Sequence, residues 1–295
     1  MRDPLMSVKE IAKRHLSPFM LHCVKQAYHR VRYGGPEWEF CPQGWAPKDS
    51  KIKGWNVGAI ARTQQAKWPA FLQAIKGTGP LTIAHEAPLQ SEKNFHAHHL
   101  LMAYAYVLTL AALKKDKIAL LDWGGGIGHY CLLSRCILPE LLIEYHCKDV
   151  PLLCKTGREM LTEATFFEQD EEIARRRYDL VLASSSLQSA EDWKSVIRLL
   201  VGSASPYLFV TRLPVVRRCR SFVVRQRAYA YGYESEYLSW IFNREEVIDT
   251  VVSEGCELVR EFLFHEHPHL SRAPEQAEVR GFLFQNRRAS LPTSR

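Results

Sequence analysis

The sequence predicts an α/β protein built on a mainly parallel, doubly wound sheet. The first observation is that short apolar runs alternate with helical patterns from residue 117 onward, as repeated strand–helix units require. The second is that these runs are almost wholly apolar, which is typical of parallel strands covered by helices on both faces. The third is size: 295 residues, of which 46% are hydrophobic, suffice for one large core domain with an extension.

Residues 1–116 are predicted to form a helical N-terminal extension or lid. Ser7 and Glu10 match a capping box, and apolar residues then recur at helical spacing, so two short helices are expected within 1–35. The other elements expected in this part are an irregular loop at 34–56 and helices at about 57–76 and 92–114, the former broken near Pro69. The loop is rich in glycine, proline and tryptophan and is expected to cover a site.

The sheet domain is predicted to span residues 117–286, followed by a disordered tail at 287–295. Its strands are expected at 117–123, 141–148, 165–169, 178–184, 207–213, 257–265 and 278–285. Its helices are expected at 127–137, 151–163, 191–202 and from Asn243 to Gly255. The stretch between the fifth strand and the last helix, which includes 212–240, is predicted to be an irregular insertion.

Composition limits the classes of function. The net charge of +7 and the pI of about 9.0 are mildly basic, which suits anionic partners without requiring them and gives no strong nucleic-acid signal. The eight cysteines form no C-x-x-C pair, so reduced thiols in a cytoplasmic protein are expected rather than a zinc ribbon. No apolar run is long enough to span a membrane, while a basic N-terminal helix leaves weak contact with a membrane surface as an alternative.

An acid and a run of glycines follow the first predicted strand. Asp122 is followed by Gly124, Gly125, Gly126 and Gly128. This loop should lie at the carboxyl end of the strand, where ligands of open α/β sheets bind. It lacks the Gly-Lys-Ser/Thr ending of a P-loop and the third small residue of a dinucleotide fingerprint. An acid here suits a cationic group of a ligand, such as an ammonium, with glycine backbone lying against the ligand.

Residues 122–128 match the pattern D-x-G-x-G-x-G and resemble motif I of class I S-adenosylmethionine-dependent methyltransferases, in the D-x-G-G-G-x-G form of O-methyltransferases. The resemblance covers about residues 117–285. It implies a class I methyltransferase (Rossmann-like) fold, with a mainly parallel seven-stranded sheet that ends in an antiparallel hairpin, after a helical N-terminal extension. It also implies S-adenosylmethionine as cofactor. The segments YDLVLASSSLQ and FVTRLPV further resemble an uncharacterised bacterial family assigned to the methyltransferases.

The resemblance implies roles for residues after the later strands. Asp149 opens an Asp-Val-Pro run that is similar to the Asp-Leu-Pro of O-methyltransferases, whose acid accepts hydrogen bonds from both ribose hydroxyls; Glu144 is the alternative. Asp170, in the acidic segment after the third strand, is the residue expected against the adenine amino group; the alternatives are Glu168 and a solvated acidic loop without such a role. Ser185 and Gln188 belong to a motif at the fourth strand that would line the methionine part of the cofactor.

Methyl transfer to a hydroxyl requires a general base in addition to alignment of the acceptor. The candidates for this role are His96, His99, His129 and His265, of which His99 and His265 are the histidines predicted. The insertion at 212–240 is rich in arginine and aromatic residues, which suits either an anionic acceptor or a solvated basic surface. The residues predicted to contact the acceptor are Arg212, Gln226, Tyr229 and Trp240.

The predicted function is therefore methyl transfer from S-adenosylmethionine to a hydroxyl of a small-molecule, saccharide or glycan-precursor acceptor. One interpretation of the arginine-rich insertion is that this acceptor is anionic. Two alternatives stay open: a non-catalytic S-adenosylmethionine-binding protein of the same fold, and an RNA methyltransferase. No metal site is predicted, because the histidines of the run FHEHPH stand near a hairpin turn, where exposed histidines are common. The sequence predicts no oligomeric state.

Overall fold

The structure is a computed structural model that describes residues 27, 29, 31–45, 49–81 and 95–287. The helices predicted before residue 27, and the tail from 288, lie outside the described residues. The helices are α1 (Gly58–Lys76), α2 (Phe95–Ala112), α3 (His129–Ile137), α4 (Pro151–Met160), α5 (Asp170–Ile173), α6 (Trp193–Ser203) and α7 (Arg244–Ser253). The strands are β1 (Trp38–Cys41), β2 (Lys117–Trp123), β3 (Leu142–Lys148), β4 (Thr165–Phe167), β5 (Tyr178–Ser184), β6 (Ala204–Val216), β7 (Phe222–Arg227), β8 (Glu236–Asn243), β9 (Cys256–Phe264), β10 (Leu270–Ser271) and β11 (Glu278–Asn286).

Seven of these strands form the central, mainly parallel part of the sheet. Their order is β4-β3-β2-β5-β6-β11-β9, in which β2 to β6 are parallel and β11 runs antiparallel between β6 and β9. Helices α1 to α4 pack on one face, and α6 and α7 pack on the other. The predicted α/β class and Rossmann-like topology are thus confirmed.

Strand β5 shows how the sequence produces this layering. Leu180 lies in the core on one face of the sheet, together with Leu101 of α2. Val181, its neighbour in the chain, lies in the core on the other face, together with Ile197 of α6. Successive side chains of a strand point to opposite faces, and both faces are covered here, so both positions must be apolar.

Helices α1 and α2 come from the predicted N-terminal extension and pack on the same face of the sheet. Helix α1 continues through Pro69, so the predicted break was wrong. The buried rings of Trp68 and Phe71 flank this proline and pack on the ring of His129, with centroids 5.0 and 4.9 Å away, which holds the helix together across it. The division of the chain at residue 117 stays a prediction. In the described part of the chain, no helix has the length and apolar character that crossing a membrane requires.

The sheet is larger and more mixed than the seven strands predicted. In the described part of the chain it contains eleven strands, because the last two residues of β6, Val215 and Val216, pair with β8. From β8 the sheet continues through β7 and β1 to β10, with β7 antiparallel to both of its neighbours. Much of the insertion predicted as irregular, and part of the 34–56 loop, are therefore strands.

Ion pairs explain why the arginine-rich insertion can form strands. Glu236 of β8, whose side chain is only 2% exposed, pairs with both Arg225 and Arg227 of β7. Asp49 lies 2.6 Å from Arg225, and Glu39 of β1 lies 2.7 Å from Arg227. These carboxylates neutralise the guanidinium groups while the arginine stems pack within the sheet. The partners of Arg225 and Arg227 in the N-terminal region are far away in sequence, so local patterning could not predict them.

Candidate functional site

The glycine run forms one wall of a cavity of about 510 Å³ at the carboxyl ends of β2, β3 and β5. We call it the glycine-loop cavity. Seven of the predicted cofactor residues line it: Asp122, Gly124, Gly125, Gly126, Asp149, Asp170 and Ser185. They come together because the carboxyl ends of neighbouring parallel strands meet at one edge of the sheet. Gln188 and Gly128 lie outside this lining.

The glycines are required by backbone conformation and by close packing. Gly124 and Gly126 have φ angles of +75° and +63°, a left-handed conformation that side chains disfavour. A Cβ atom at Gly125 would overlap the carboxyl group of Asp122. Gly128, with φ +93°, precedes the first residue of α3. The loop therefore places its backbone directly against the buried acid.

Asp122 is fully buried at the end of β2. The hydroxyl of Tyr145 donates a hydrogen bond of 2.5 Å to its Oδ2, while Oδ1 is buried without a hydrogen-bond partner among the described residues. Burial raises the pKa of this carboxyl group to about 7; the hydrogen bond from Tyr145 opposes the shift and the nearby charge of Asp149 adds to it. A buried carboxylate with one unsatisfied oxygen is suited to receive a cationic ligand group.

Asp149 holds the glycine loop in place. Its Oδ2 accepts a hydrogen bond of 2.7 Å from the backbone N–H of Gly126, and its Oδ1 accepts one of 2.6 Å from that of Val150. The alternative ribose residue, Glu144, lies within β3 and pairs instead with Lys117 at 3.2 Å, and it does not line the cavity. The geometry thus brings Asp149 to the cavity and keeps Glu144 away from it.

Asp170 lies at the first turn of α5, at the rim of the same cavity. Its Oδ1 accepts a hydrogen bond of 3.2 Å from the indole N–H of Trp123 and lies 3.0 Å from the Lys148 ammonium. Among the described residues, the charged side chains that line the cavity are Lys148 and five acidic residues, namely Asp122, Asp149, Asp170, Glu191 and Asp192. This strongly acidic lining suits a positively charged ligand and would repel a pyrophosphate.

Gln64 and Trp55 are two lining residues of the cavity that the sequence analysis did not assign to the site. Gln64 of α1 is 3% exposed, lines the cavity, and has an Oε1 atom without a hydrogen-bond partner among the described residues. Trp55 lines the cavity and donates from its indole N–H to the Ser189 hydroxyl at 3.0 Å. The available signal for Gln64 was its place four residues after Ile60 and four before Trp68, which puts an amide on the apolar stripe of a helix.

A second cavity of about 430 Å³ adjoins the first. Trp55, Ser185 and Ser189 line both cavities. We call the second one the insertion cavity, because β6, β7 and β8 supply much of its lining, including the predicted residues Arg212 and Gln226. The 3₁₀ turn Leu187–Ser189 contributes Gln188, and the loop after β9 contributes residues 266–269.

Backbone strain marks the place where the two cavities meet. Ser185 has φ +56° and Arg212 has φ +55°, although neither residue is glycine. Ser185 directly follows β5 and Arg212 lies within the neighbouring strand β6, where the N–H of Ser185 donates to the carbonyl of Thr211 at 2.9 Å. Such conformations are costly and are retained mainly at ligand-binding and catalytic sites. The strain therefore points to a function at this junction.

Four other predicted site residues lie outside the lining of both cavities. Tyr229 donates to Glu236 at 2.8 Å, and the indole of Trp240 donates to a backbone carbonyl at 3.2 Å. His99 is exposed and contacts the ring of Phe264, and His265 is exposed and stacks on another histidine. The roles proposed for these four residues stay predictions. Among the described residues, no group of three or more potential metal ligands is placed to hold a metal ion.

The strand order, the antiparallel β11 and the glycine loop after β2 together define the fold of the S-adenosylmethionine-dependent methyltransferases. Among solved structures, the chain is similar to a proposed sarcosine dimethylglycine methyltransferase from Galdieria sulphuraria, with a TM-score of 0.51 and 12% identity over 77% of this chain and 98% of that one. It is also similar to a magnesium protoporphyrin IX methyltransferase from Synechocystis PCC 6803, with a TM-score of 0.44 and 12% identity over the same shares. No protein-family model and no curated protein matches the sequence.

Proposed function

We propose that this protein binds S-adenosylmethionine in the glycine-loop cavity and transfers its methyl group to a hydroxyl of a small molecule held in the insertion cavity. The observation that carries the proposal is the junction of the two cavities at Trp55, Ser185 and Ser189. One cavity is suited to a cationic cofactor, and the other adjoins it where an acceptor can approach. The hydroxyl preference comes from the resemblance of the loop to O-methyltransferases.

The residues of the glycine-loop cavity fit this cofactor. The unpartnered Oδ1 of Asp122 would receive the ammonium group, with the glycine backbone alongside. Asp149 would accept from the ribose hydroxyls, and Asp170 would lie against the adenine amino group. The acidic lining also favours the positive sulfonium. When bound, the cofactor supplies an electrophilic methyl group.

The protein's own contribution is to align the acceptor and exclude water. Ser185 and Ser189 lie where both ligands would meet, and Trp55 is fixed there by its hydrogen bond to Ser189. In-line displacement depends mainly on such positioning, because holding two reactants in the right geometry removes much of the entropic barrier. The small-molecule, saccharide and glycan-precursor classes all contain hydroxyl acceptors of a size that suits a cavity of about 430 Å³.

The proposal is tested in two steps. Titration calorimetry should show binding of S-adenosylhomocysteine with micromolar affinity. Mass spectrometry should then show a gain of one labelled methyl group on a small molecule after incubation with methyl-labelled cofactor. Binding without transfer to any acceptor pool would favour the non-catalytic alternative, and failure to bind the cofactor would contradict the proposal as a whole.

Replacing Asp149 with alanine should weaken S-adenosylhomocysteine binding by about 1.5–3 kcal/mol, or roughly tenfold to a hundredfold, since hydrogen bonds to a charged group are lost. The measurement is titration calorimetry, with thermal unfolding recorded in parallel because Asp149 also accepts from Gly126. The matched control is Glu144→Ala, which removes a carboxylate outside the cavity from β3, the strand that Asp149 directly follows. Unchanged affinity for Asp149→Ala would place the ribose contact on another residue.

A further inference from the structure

His29 is a buried histidine in the lining of the insertion cavity and is only 8% exposed. Its Nδ1 lies 3.4 Å from the carbonyl oxygen of Gly35. A carbonyl can only accept a hydrogen bond, so this contact assigns the proton to Nδ1 and leaves a lone pair on Nε2. The Nε2 atom has no hydrogen-bond partner among the described residues. The imidazole is therefore oriented by the backbone and has one nitrogen available as a proton acceptor.

Two further polar groups of the same lining are unsatisfied. Gln188 and Ser239 are 7% and 1% exposed, and the Oε1 of one and the Oγ of the other lack a hydrogen-bond partner in the described part of the chain. Each of these atoms can accept a hydrogen bond, as can Nε2 of His29. Buried polar atoms are rarely left without partners, so a ligand that donates several hydrogen bonds is the natural complement of this cavity.

The charges of the described residues that line the cavity oppose an anionic acceptor. Arg212 is the one guanidinium in the described lining, and two carboxylates, Glu37 and Glu266, stand in the same lining. Arg212 lies 3.7 Å from Glu266. The other arginines of the insertion do not line the cavity, and Arg225 and Arg227 are paired with Glu236. A phosphate or carboxylate ligand would thus meet more negative than positive charge.

We propose that the insertion cavity binds an uncharged acceptor rich in hydroxyl groups, of the sugar or polyol class, and that Nε2 of His29 takes the proton of the hydroxyl that is methylated. This inference rests on the proposed methyltransferase function. The aromatic side chains of Trp38, Trp55 and Tyr237 in the lining supply apolar surface for the C–H face of such a ring. The unsatisfied acceptors supply partners for its hydroxyls.

The transfer step balances with these groups. The oxygen of the acceptor forms a bond to the methyl carbon as the carbon–sulfur bond of the cofactor breaks, and the bonding pair stays on the sulfur, which becomes a neutral thioether. The hydroxyl proton moves to Nε2 of His29, and the ring becomes an imidazolium. Glu37 and Glu266 line the same cavity and favour the positive charge that forms there.

The acceptor class is tested with methyl-labelled S-adenosylmethionine and small metabolites that have been divided by anion exchange into a neutral and an anionic pool. Label is expected in a product from the neutral pool. Label confined to the anionic pool would overturn this inference and leave the proposed function standing. No label in either pool, from protein that binds S-adenosylhomocysteine, would instead count against transfer itself.

The role of His29 is tested with the acceptor found in the neutral pool. His29→Gln should lower kcat by about a hundredfold or more, because a general base typically contributes that much. The acceptor KM, the S-adenosylhomocysteine affinity and the melting temperature should stay near those of the wild type. His96→Gln, an exposed histidine outside both cavities, is the control and should leave kcat unchanged.

A second variant separates proton transfer from local structure. In His29→Gly, added imidazole should restore part of the lost rate, which a purely structural defect would not allow. Two results would overturn the assignment of His29 as the proton acceptor. One is a wild-type kcat in His29→Gln. The other is a lost rate in His29→Gly that imidazole does not restore, although folding and cofactor binding are normal.

Discussion

Replacing Asp122 with asparagine is expected to weaken S-adenosylhomocysteine binding by about 2–5 kcal/mol, or roughly thirtyfold to several thousandfold, because one partner of a buried charge pair is lost. Asparagine has the same shape and can still accept the hydrogen bond from Tyr145. Titration calorimetry at a pH of about 8 provides the measurement. Glu191→Gln is the matched control, since Glu191 lines the same cavity but is exposed. The affinity of this variant for S-adenosylhomocysteine should change little.

The same variant should be more stable than the wild type when no ligand is bound. The pKa of Asp122 rises from the ordinary value of 3.8 to about 7 in the folded protein, so between these values the folded state holds a proton that the unfolded state has released. The free energy of unfolding therefore falls as pH rises through this window. Asparagine carries no charge to bury, so Asp122→Asn should have the higher melting temperature at pH 8. A lower melting temperature would mean that the lost affinity reflects damage to the fold.

The pKa of Asp122 also predicts how cofactor binding depends on pH. Below a pH of about 7 the carboxyl group is protonated and loses its attraction for an ammonium ion. Wild-type affinity for S-adenosylhomocysteine should thus decline from pH 8 to pH 6, and the Asp122→Asn protein should show a flatter profile. Parallel profiles for the two proteins would show that another group titrates.

Glu236→Ala is expected to lower the free energy of unfolding by about 3 kcal/mol, because it removes the most deeply buried carboxylate of this network and leaves Arg225 and Arg227 with only the partly exposed Asp49 and Glu39 as counter-charges. Glu236 pairs with Arg225 and Arg227 and accepts a hydrogen bond of 2.8 Å from Tyr229. These contacts join β7 and β8, two strands that contribute residues to the lining of the insertion cavity. The measurement is denaturant unfolding followed by tryptophan fluorescence, with the midpoint and slope fitted together.

The control for this variant is Glu257→Ala. Its partner is Arg287, and the two side chains are 41% and 72% exposed, so loss of this pair should cost less than about 1 kcal/mol. A similar small cost for Glu236→Ala would mean that the network contributes little to stability. Because Glu236 lies outside the glycine-loop cavity, its folded variant should retain affinity for S-adenosylhomocysteine.

Part of the site could be predicted from the sequence because it depends on strand ends. Asp122 and Asp149 each stand at or next to the end of a strand with an unmistakable apolar pattern, and parallel strands bring their carboxyl ends to one edge. Gln64 and His29 belong to segments that precede the predicted sheet domain. Their local sequence does not indicate which edge of the sheet they pack against. Their unsatisfied atoms are visible only once the helices are packed.

The sequence by itself determined the central sheet, its glycine loop and the acid before that loop, because hydrophobic periodicity and glycine requirements are local properties of the chain. Only the tertiary structure decided that β7 and β8 of the insertion join β1 and β10 in a four-stranded continuation of the sheet. It also decided that Arg225 and Arg227 form salt bridges with carboxylates of the protein itself, because Asp49 and Glu39 are more than a hundred residues away in the sequence. From the sequence alone, an arginine-rich segment suggests a ligand-binding surface. Only the folded chain shows which carboxylates pair with its arginines.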